Sequence, residues 1–343
     1  MLELEPFSLN LASPLATAAG TIDRREGFLV SVEYDGQHGV GEATPLPGWT
    51  ESHAECRAAL ARAGEIAEEL DWGIALAKTE EPAARHGLAL ALAEARARNV
   101  DKPLYRYLGD DQFVPSVPVN VTIGDKSTAE TVESAAAAVA EGFDCLKLKV
   151  GARSVEADIE RMRAVRERVG DGVELRADAN GSWTFDQAEH AFDALGDIGV
   201  SYVEQPLPAD NLAGHTRLRG GPVDVALDEA LTEYSVDKIL AEFAADVLVI
   251  KPMIVGGPDQ AREIALTARE VGVAPVVSTT VDGVVGRTGA VHLAASISDV
   301  RACGLATASL MAEDLSPDPA PVSDGAIEVP QGKGLGLPDR PRN

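Results

Sequence analysis

The sequence predicts an α/β chain: a (β/α)8-type TIM barrel preceded by an N-terminal α+β unit. Three observations carry this. From about Val117 onward, eight short β-rich runs alternate with helical segments. Five successive runs carry a charged residue at or near their C-terminal end, at positions 149, 178, 204, 228 and 251, about one βα unit apart. The length, 343 residues, exceeds what a single small core covers.

Residues 1–112 mix strand-like pieces, "GFLVSVEY" and "HGVGEATPLPGW", with a long alanine-rich helical tract from Ser52 to Arg98, which reads as an α+β unit. Residues 113–321 hold the eight runs: "VPVNVTI", "CLKLKV", "VELRADA", "SYVEQP", "DVALDE", "VLVIKP", "APVVSTT" and "RACGLAT". Between them, segments such as "EADIERMRAVRERV" and "PDQAREIALTAREV" have helical periodicity, and eight βα units favour a closed barrel over a doubly wound sheet. The tail, residues 322–343, is too short to be a domain and is expected to cross back onto the N-terminal unit.

Composition narrows the function. With 55 acidic against 30 basic residues the formal charge is -25, which argues against nucleic acid and anionic membrane partners. No run of about 18 apolar residues and no signal-like N-terminus is present, so a soluble, cytoplasmic protein is expected. Cys56, Cys145 and Cys303 are isolated and odd in number, which disfavours a disulfide framework or a zinc cage. Only eight lysines stand among the 30 basic residues, and an acidic, lysine-poor surface suits the salt-rich cytoplasm of a halophile.

Two of those eight lysines, Lys147 and Lys149, share one face of the run "CLKLKV", because strand side chains alternate. In a parallel barrel all strand C-termini open onto one mouth, where Lys149, Asp178, Glu204, Asp228 and Lys251 would converge. An Asp just after a strand is often the N-cap of the next helix. That reading does not account for all five together. Three carboxylates without histidine or thiolate make a hard oxygen site suited to Mg²⁺ or Mn²⁺. An amine beside another cation and a bound metal has its charged form disfavoured, so Lys147 is a physical reason for Lys149 to act as a base. Such a site invites removal of a proton α to a carboxylate.

The set "KLK", "ADAN", "EQP", "LDE" and "IKP" resembles the enolase superfamily in its muconate-lactonizing subgroup, which pairs a Lys base with Mg²⁺. The stretch "REGFLVSVEYDGQHGVGEATPLPGWTES" resembles the capping domain of o-succinylbenzoate synthases, and "GLATASLMAEDL" their eighth-strand region. The resemblance implies that Asp178, Glu204 and Asp228 bind the metal, that Lys149 is the acid/base assisted by Lys147, and that Lys251 faces the other side of a small carboxylate substrate. It also implies that the loop around Ala18 to Arg24 and the loop "PGWTES" close over the mouth, with Arg24 and Trp49 as contacts. Ser278, Thr279 and Asp282 of "STTVDGVVGRTG" would read the distal substrate, Asp282 standing where relatives often have Glu. The implied reaction is syn dehydration of a succinyl cyclohexadiene carboxylate, with racemisation of N-acylamino acids, dipeptide epimerisation and cycloisomerisation as rivals on the same site.

Other patterns carry less. The six histidines show no H-x-H or HExxH spacing, no GxSxG occurs, and "GQHGVG" and "GKGLG" read as glycine turns. A barrel that has kept the residues but serves only to bind is the alternative from another class. The acidic surface makes a direct prediction. The melting temperature should rise as KCl goes from low to molar concentration, by screening of self-repulsion; a flat or falling curve would exclude the halophile reading.

Overall fold

A computed structural model describes residues 1–17 and 20–338. The chain opens with an antiparallel sheet of β1 (Leu2–Thr17), β2 (Gly20–Tyr34) and β3 (Gln37–Ala43). Helices α1 (His53–Glu69), α2 (Trp72–Ala77), α3 (Pro82–Asn99) and α4 (Leu104–Leu108) follow. The tract expected as one long helix is thus broken twice. Ser52 and Glu55 close a capping box at the start of α1, Asp71 caps α2 through the Ile74 N–H at 2.9 Å, and Pro82 occupies the first turn of α3. Gly39 and Gly41, expected in a turn, lie inside β3. A Cβ on either would come within 2.0 Å of a carbonyl of α3, so the glycines are there to let helix and sheet backbones touch.

The second part alternates strand and helix: β4 (Ser116–Pro118), β5 (Val121–Ile123), α5 (Thr128–Ala140), β6 (Cys145–Lys149), α6 (Val155–Val169), β7 (Glu174–Asp178), α7 (Phe185–Ile198) and β8 (Val200–Glu204). It continues through α8 (Leu212–Leu218), β9 (Asp224–Leu227), α9 (Ala230–Glu233), α10 (Val236–Ala241), β10 (Val247–Ile250), α11 (Pro258–Glu270), β11 (Ala274–Val277) and α12 (Val284–Ala295). Strands β5 to β11 pair in chain order as a parallel sheet. Parallel bridges from Cys303 to Val119 and from Gly304 to Ser278 close it into a barrel, so the eighth run is present as a bridging segment. Arg176 reinforces this closure from inside the barrel. Its buried guanidinium donates to the Ala302 carbonyl at 2.6 Å, the Tyr202 hydroxyl at 3.2 Å and Glu174 Oε1 at 3.0 Å. Alternation along each strand puts Lys147, Arg176, Tyr202, Val249 and Val276 in one inner layer, and Lys149, Asp178, Glu204, Asp228, Lys251 and Ser278 in the layer above.

The tail divides its contacts. Strand β12 (Val322–Ser323) pairs with β13 (Ala326–Glu328), which in turn pairs with β4 beside the barrel. Farther on, Leu335 is buried among Leu29, Leu90, Leu104, Val284 and Val285, which come from both parts of the chain. Residues 339–343 lie outside the described residues. His292 on α12 secures the tail: its Nδ1 accepts from the Tyr105 N–H at 3.3 Å, which leaves Nε2 to donate to the Leu335 carbonyl at 3.2 Å.

Only a neutral ring satisfies both bonds, and burial pushes the His292 imidazole down to about 4. The folded state therefore resists protonation that the unfolded chain accepts near its ordinary value, so this residue's stabilisation is complete above pH ~6.5 and is lost as pH falls toward 4. Comparing urea unfolding of wild type with His292→Gln, the stability difference should shrink by up to about 3 kcal/mol between pH 7 and pH 4. A difference constant over that range would contradict the assignment.

Candidate active site

The sequence-predicted residues come together at the barrel mouth because their strands are in register. Lys149 is directly opposite Asp178 on β7, which is opposite Glu204 on β8. Asp228 follows β9 and Lys251 follows β10 by one residue. The three carboxylates are almost fully buried, at 1, 2 and 4% exposure. Each is turned to a lysine. Lys147 Nζ lies 3.0 and 2.9 Å from the two oxygens of Glu204 and 3.1 Å from Asp178 Oδ2. Lys149 Nζ donates to Asp178 Oδ2 and to Asn180 Oδ1, both at 2.7 Å, and Lys251 Nζ to Asp228 Oδ2 at 2.5 Å.

Two residues that the sequence reading left without a role hold this arrangement. Asn180 and Gln205 both have positive φ, 44° and 42°, and turn the chain immediately beyond the strand ends. Asn180 Nδ2 donates to Glu229 Oε1 at 2.9 Å, so its amide links Lys149 to Glu229. The Gln205 side-chain oxygen Oε1 accepts from the N–H groups of Asp228 and Ala230, each at 3.1 Å, and fixes the turn that presents Asp228. Only their position inside "ADAN" and "EQP" marks them in the sequence.

Electrostatics at the mouth are dominated by burial of like charges. Burial, with Asp178 close by, pushes the Glu204 carboxyl up to about 7 against the pull of Lys147. Burial also raises Asp228, to about 6, opposed by Lys251 and assisted by Glu229. For Asp178 burial acts the same way, but the ammonium groups of Lys147 and Lys149 outweigh it and hold the carboxyl below the usual range. Burial favours the neutral amine of Lys147 and of Lys251. Here too the facing carboxylates win: Glu204 and Asp178 hold Lys147 well above its ordinary value, and Asp228 and Glu229 raise Lys251.

A divalent cation fits this donor set. Asp178, Glu204, Asp228 and Glu229 make four carboxylates against three ammonium groups, an excess of one negative charge, and Glu229 Oε2 is a buried oxygen with no hydrogen-bond partner among the described residues. The oxygens are hard and arise from three adjacent strands. They do not already form a cage, since Asp178, Glu204 and Asp228 are each engaged by lysine and Glu229 by Asn180.

Of the expected distal contacts, Trp49 reaches the mouth, its ring centroid 4.1 Å from Lys251 Nζ. Ser278 points into the barrel, its hydroxyl 3.2 Å from the Gly304 carbonyl, and the Thr279 hydroxyl lies 3.1 Å from that of Thr307. Arg24 does not reach the site. It sits within β2 opposite Asn10, with an exposed side chain beside Glu26 at 3.7 Å, because strand pairing extends through residues expected in a loop. Ala18 and Ala19 of that stretch lie outside the described residues. Asp282 is also not in the mouth. It is buried beneath the N-terminal sheet, bonded to Thr280 and close to Glu42. The neighbouring Arg25 and Glu42, which the sequence reading missed, connect that sheet to the segment after β11.

Comparison with known proteins places this geometry. L-Ala-D/L-Glu epimerase of Bacillus subtilis is 29% identical over 98% of this chain and 95% of its own length. Chloromuconate cycloisomerase of Cupriavidus necator is 27% identical over 94% and 92%. The substrate-liganded structure of the B. subtilis epimerase superposes with a TM-score of 0.88 at 27% identity, covering 98% of both chains. A dipeptide epimerase from Enterococcus faecalis, complexed with Mg and the dipeptide L-Leu-L-Tyr, gives 0.85 at 26% identity over 98% of both. Residues 2–95 match the family model described as MenC, N-terminal domain. Residues 130–340, more than half of the chain, match the model described as enolase C-terminal domain-like, and the chain therefore belongs to the enolase superfamily.

Proposed function

We propose that this chain is an o-succinylbenzoate synthase, which eliminates water from 2-succinyl-6-hydroxy-2,4-cyclohexadiene-1-carboxylate in a step toward menaquinone. The observation that carries the reading is the match of residues 2–95 to the MenC N-terminal domain. The uncharged segment "LATAS" after the eighth strand supports it, since it has no carboxylate with which to hold the α-ammonium of a dipeptide. The acidic, lysine-poor surface supports a salt-rich cytoplasm as its setting.

In this reading Asp178, Glu204 and Asp228 hold Mg²⁺ or Mn²⁺, which supplies Lewis-acid neutralisation of the charge that develops on the substrate carboxylate. The remaining chemistry belongs to the lysines. Lys149 removes the α proton; the electron pair forms the new C=C bond as the C–O bond breaks, and the same lysine returns the proton to the departing hydroxyl, which leaves as water. Lys147 lies behind Lys149 on the same strand, placed to assist it and to keep Glu204 charged and oriented. Lys251, held by Asp228 and covered by Trp49, presents a fixed cation on the opposite side.

A second reading shares the first half of this chemistry. Lys149 at the end of β6 and Lys251 just after β10 flank the carboxylates from two sides, the arrangement a racemase or epimerase uses, and epimerases are among the relatives.

Chelation should abolish turnover, and Mg²⁺ or Mn²⁺ should restore it. Asp178→Asn, Glu204→Gln and Asp228→Asn should each weaken metal binding measured by calorimetry; full turnover by verified metal-free protein would end the assignment. Lys149→Ala should remove at least the roughly 10²- to 10⁴-fold supplied by general acid/base catalysis. Lys251→Arg retains charge but not useful proton exchange, so a synthase keeps part of its rate whereas a racemase loses nearly all of it. The discriminating assay incubates wild type in D₂O with the cyclohexadiene acid and, separately, with each enantiomer of an N-acylamino acid. Turnover of the amino acids alone, with deuterium entering from both faces, would establish the racemase instead.

A further inference from the structure

A buried guanidinium is among the contacts by which the N-terminal sheet meets the barrel. Arg25 of β2 is 3% exposed and directs its donors at backbone carbonyls: Nη2 to Thr44 at 2.7 Å, Nη1 to Pro45 at 3.5 Å, and Nε to Val281 at 3.3 Å. Thr44 and Pro45 begin the loop that carries Trp49 over Lys251. Val281 lies three residues beyond Ser278 on the segment leaving β11. One side chain therefore grips both walls of the mouth.

The second of these walls is strained. Val281 has a φ of 61°, in the left-handed region that a β-branched residue rarely occupies. Such a conformation persists only where its surroundings enforce it. Its side chain packs with Leu9, Leu11 and Met311, and Arg25 holds its carbonyl. Just downstream, Glu42 accepts from the N–H groups of Gly283 at 2.7 Å and Gly286 at 2.8 Å, so β3 anchors the start of α12.

We infer that Arg25 is a positioning residue for substrate binding: it holds the Trp49 loop and the strained segment around Val281 at a fixed separation, and thereby sets the width of the mouth where the distal part of the substrate enters. It does not touch the reacting atoms. The inference rests on the barrel mouth being the active site, but it holds for any carboxylate substrate bound there.

The test compares Arg25→Lys, which retains charge with fewer donors, and Arg25→Met, which retains length with none. KM should rise about ten- to a hundred-fold in Arg25→Met, the factor that losing charge-assisted hydrogen bonds implies, with a smaller rise in Arg25→Lys and kcat changed by no more than about threefold. Adding Val281→Gly to Arg25→Met should recover most of the KM loss, since glycine adopts the left-handed conformation without needing the tie. Hydrogen exchange supplies a readout independent of turnover. Segments 44–50 and 279–286 should lose protection together in Arg25→Met, and the second should regain it in the double variant.

The kinetics are measured on whichever substrate wild type converts, the cyclohexadiene acid or an N-acylamino acid. If it converts neither, the functional reading fails while the exchange experiment still decides the role of Arg25. A fall in kcat at constant KM, an unrescued loss, protection lost in only one segment, or failure of the variants to fold even with Val281→Gly would each overturn the proposal.

Discussion

Burying three carboxylates side by side at the ends of β7, β8 and β9 is the constraint on which the rest of this structure depends. In a low-dielectric interior like charges at such separations cannot all stay ionised without positive charge among them. Lys147 and Lys149 provide it from β6, and Lys251 from beyond β10. Asp178, which has two ammonium partners, is held charged, whereas burial raises Glu204 and Asp228. The mouth is therefore a set of mutually compensating charges, one carboxylate in excess, in which no paired member can be removed without exposing its partner's desolvation cost.

That balance requires the strands to keep their register, and the barrel is tied where its ladder is thinnest. The eighth segment contributes only bridges, and Arg176 compensates by reaching across the interior from β7 to the Ala302 carbonyl. The N-terminal part is fitted with comparable closeness. Gly39 and Gly41 bring β3 against α3, and Leu335 of the tail fills a pocket that both parts of the chain line. Floor, wall and cover of the site are thus fixed by different devices: a buried guanidinium, a backbone contact without side chains, and an apolar plug.

The charged layer comes from strand ends, where a parallel barrel leaves little freedom. Around it stand irregular segments: the Trp49 loop, Ser278 with Thr279, and the uncharged residues after Gly304. Relatives with epimerase and cycloisomerase names share the fold over nearly the whole chain, as expected if the differences between them are confined to such segments.

By itself the sequence determined the barrel, the order of its strands, and the six charged residues that meet at its mouth. Those follow from local periodicity and from a rule that holds for every parallel barrel. The roles of the irregular parts were decided by tertiary structure. Arg24 and Arg25 are adjacent and identical in type, yet one is exposed and the other is buried as a tie between the two parts of the chain. Strand alternation could not choose between them, because near this point β2 is covered on both faces: Phe28 and Val30 pack toward the helices, and Leu29 toward α12. Asp282 was misplaced for a related reason. It lies five residues beyond the end of β11, where Val281 adopts a left-handed conformation that turns the chain beneath the sheet, and contacts distant in sequence hold that conformation.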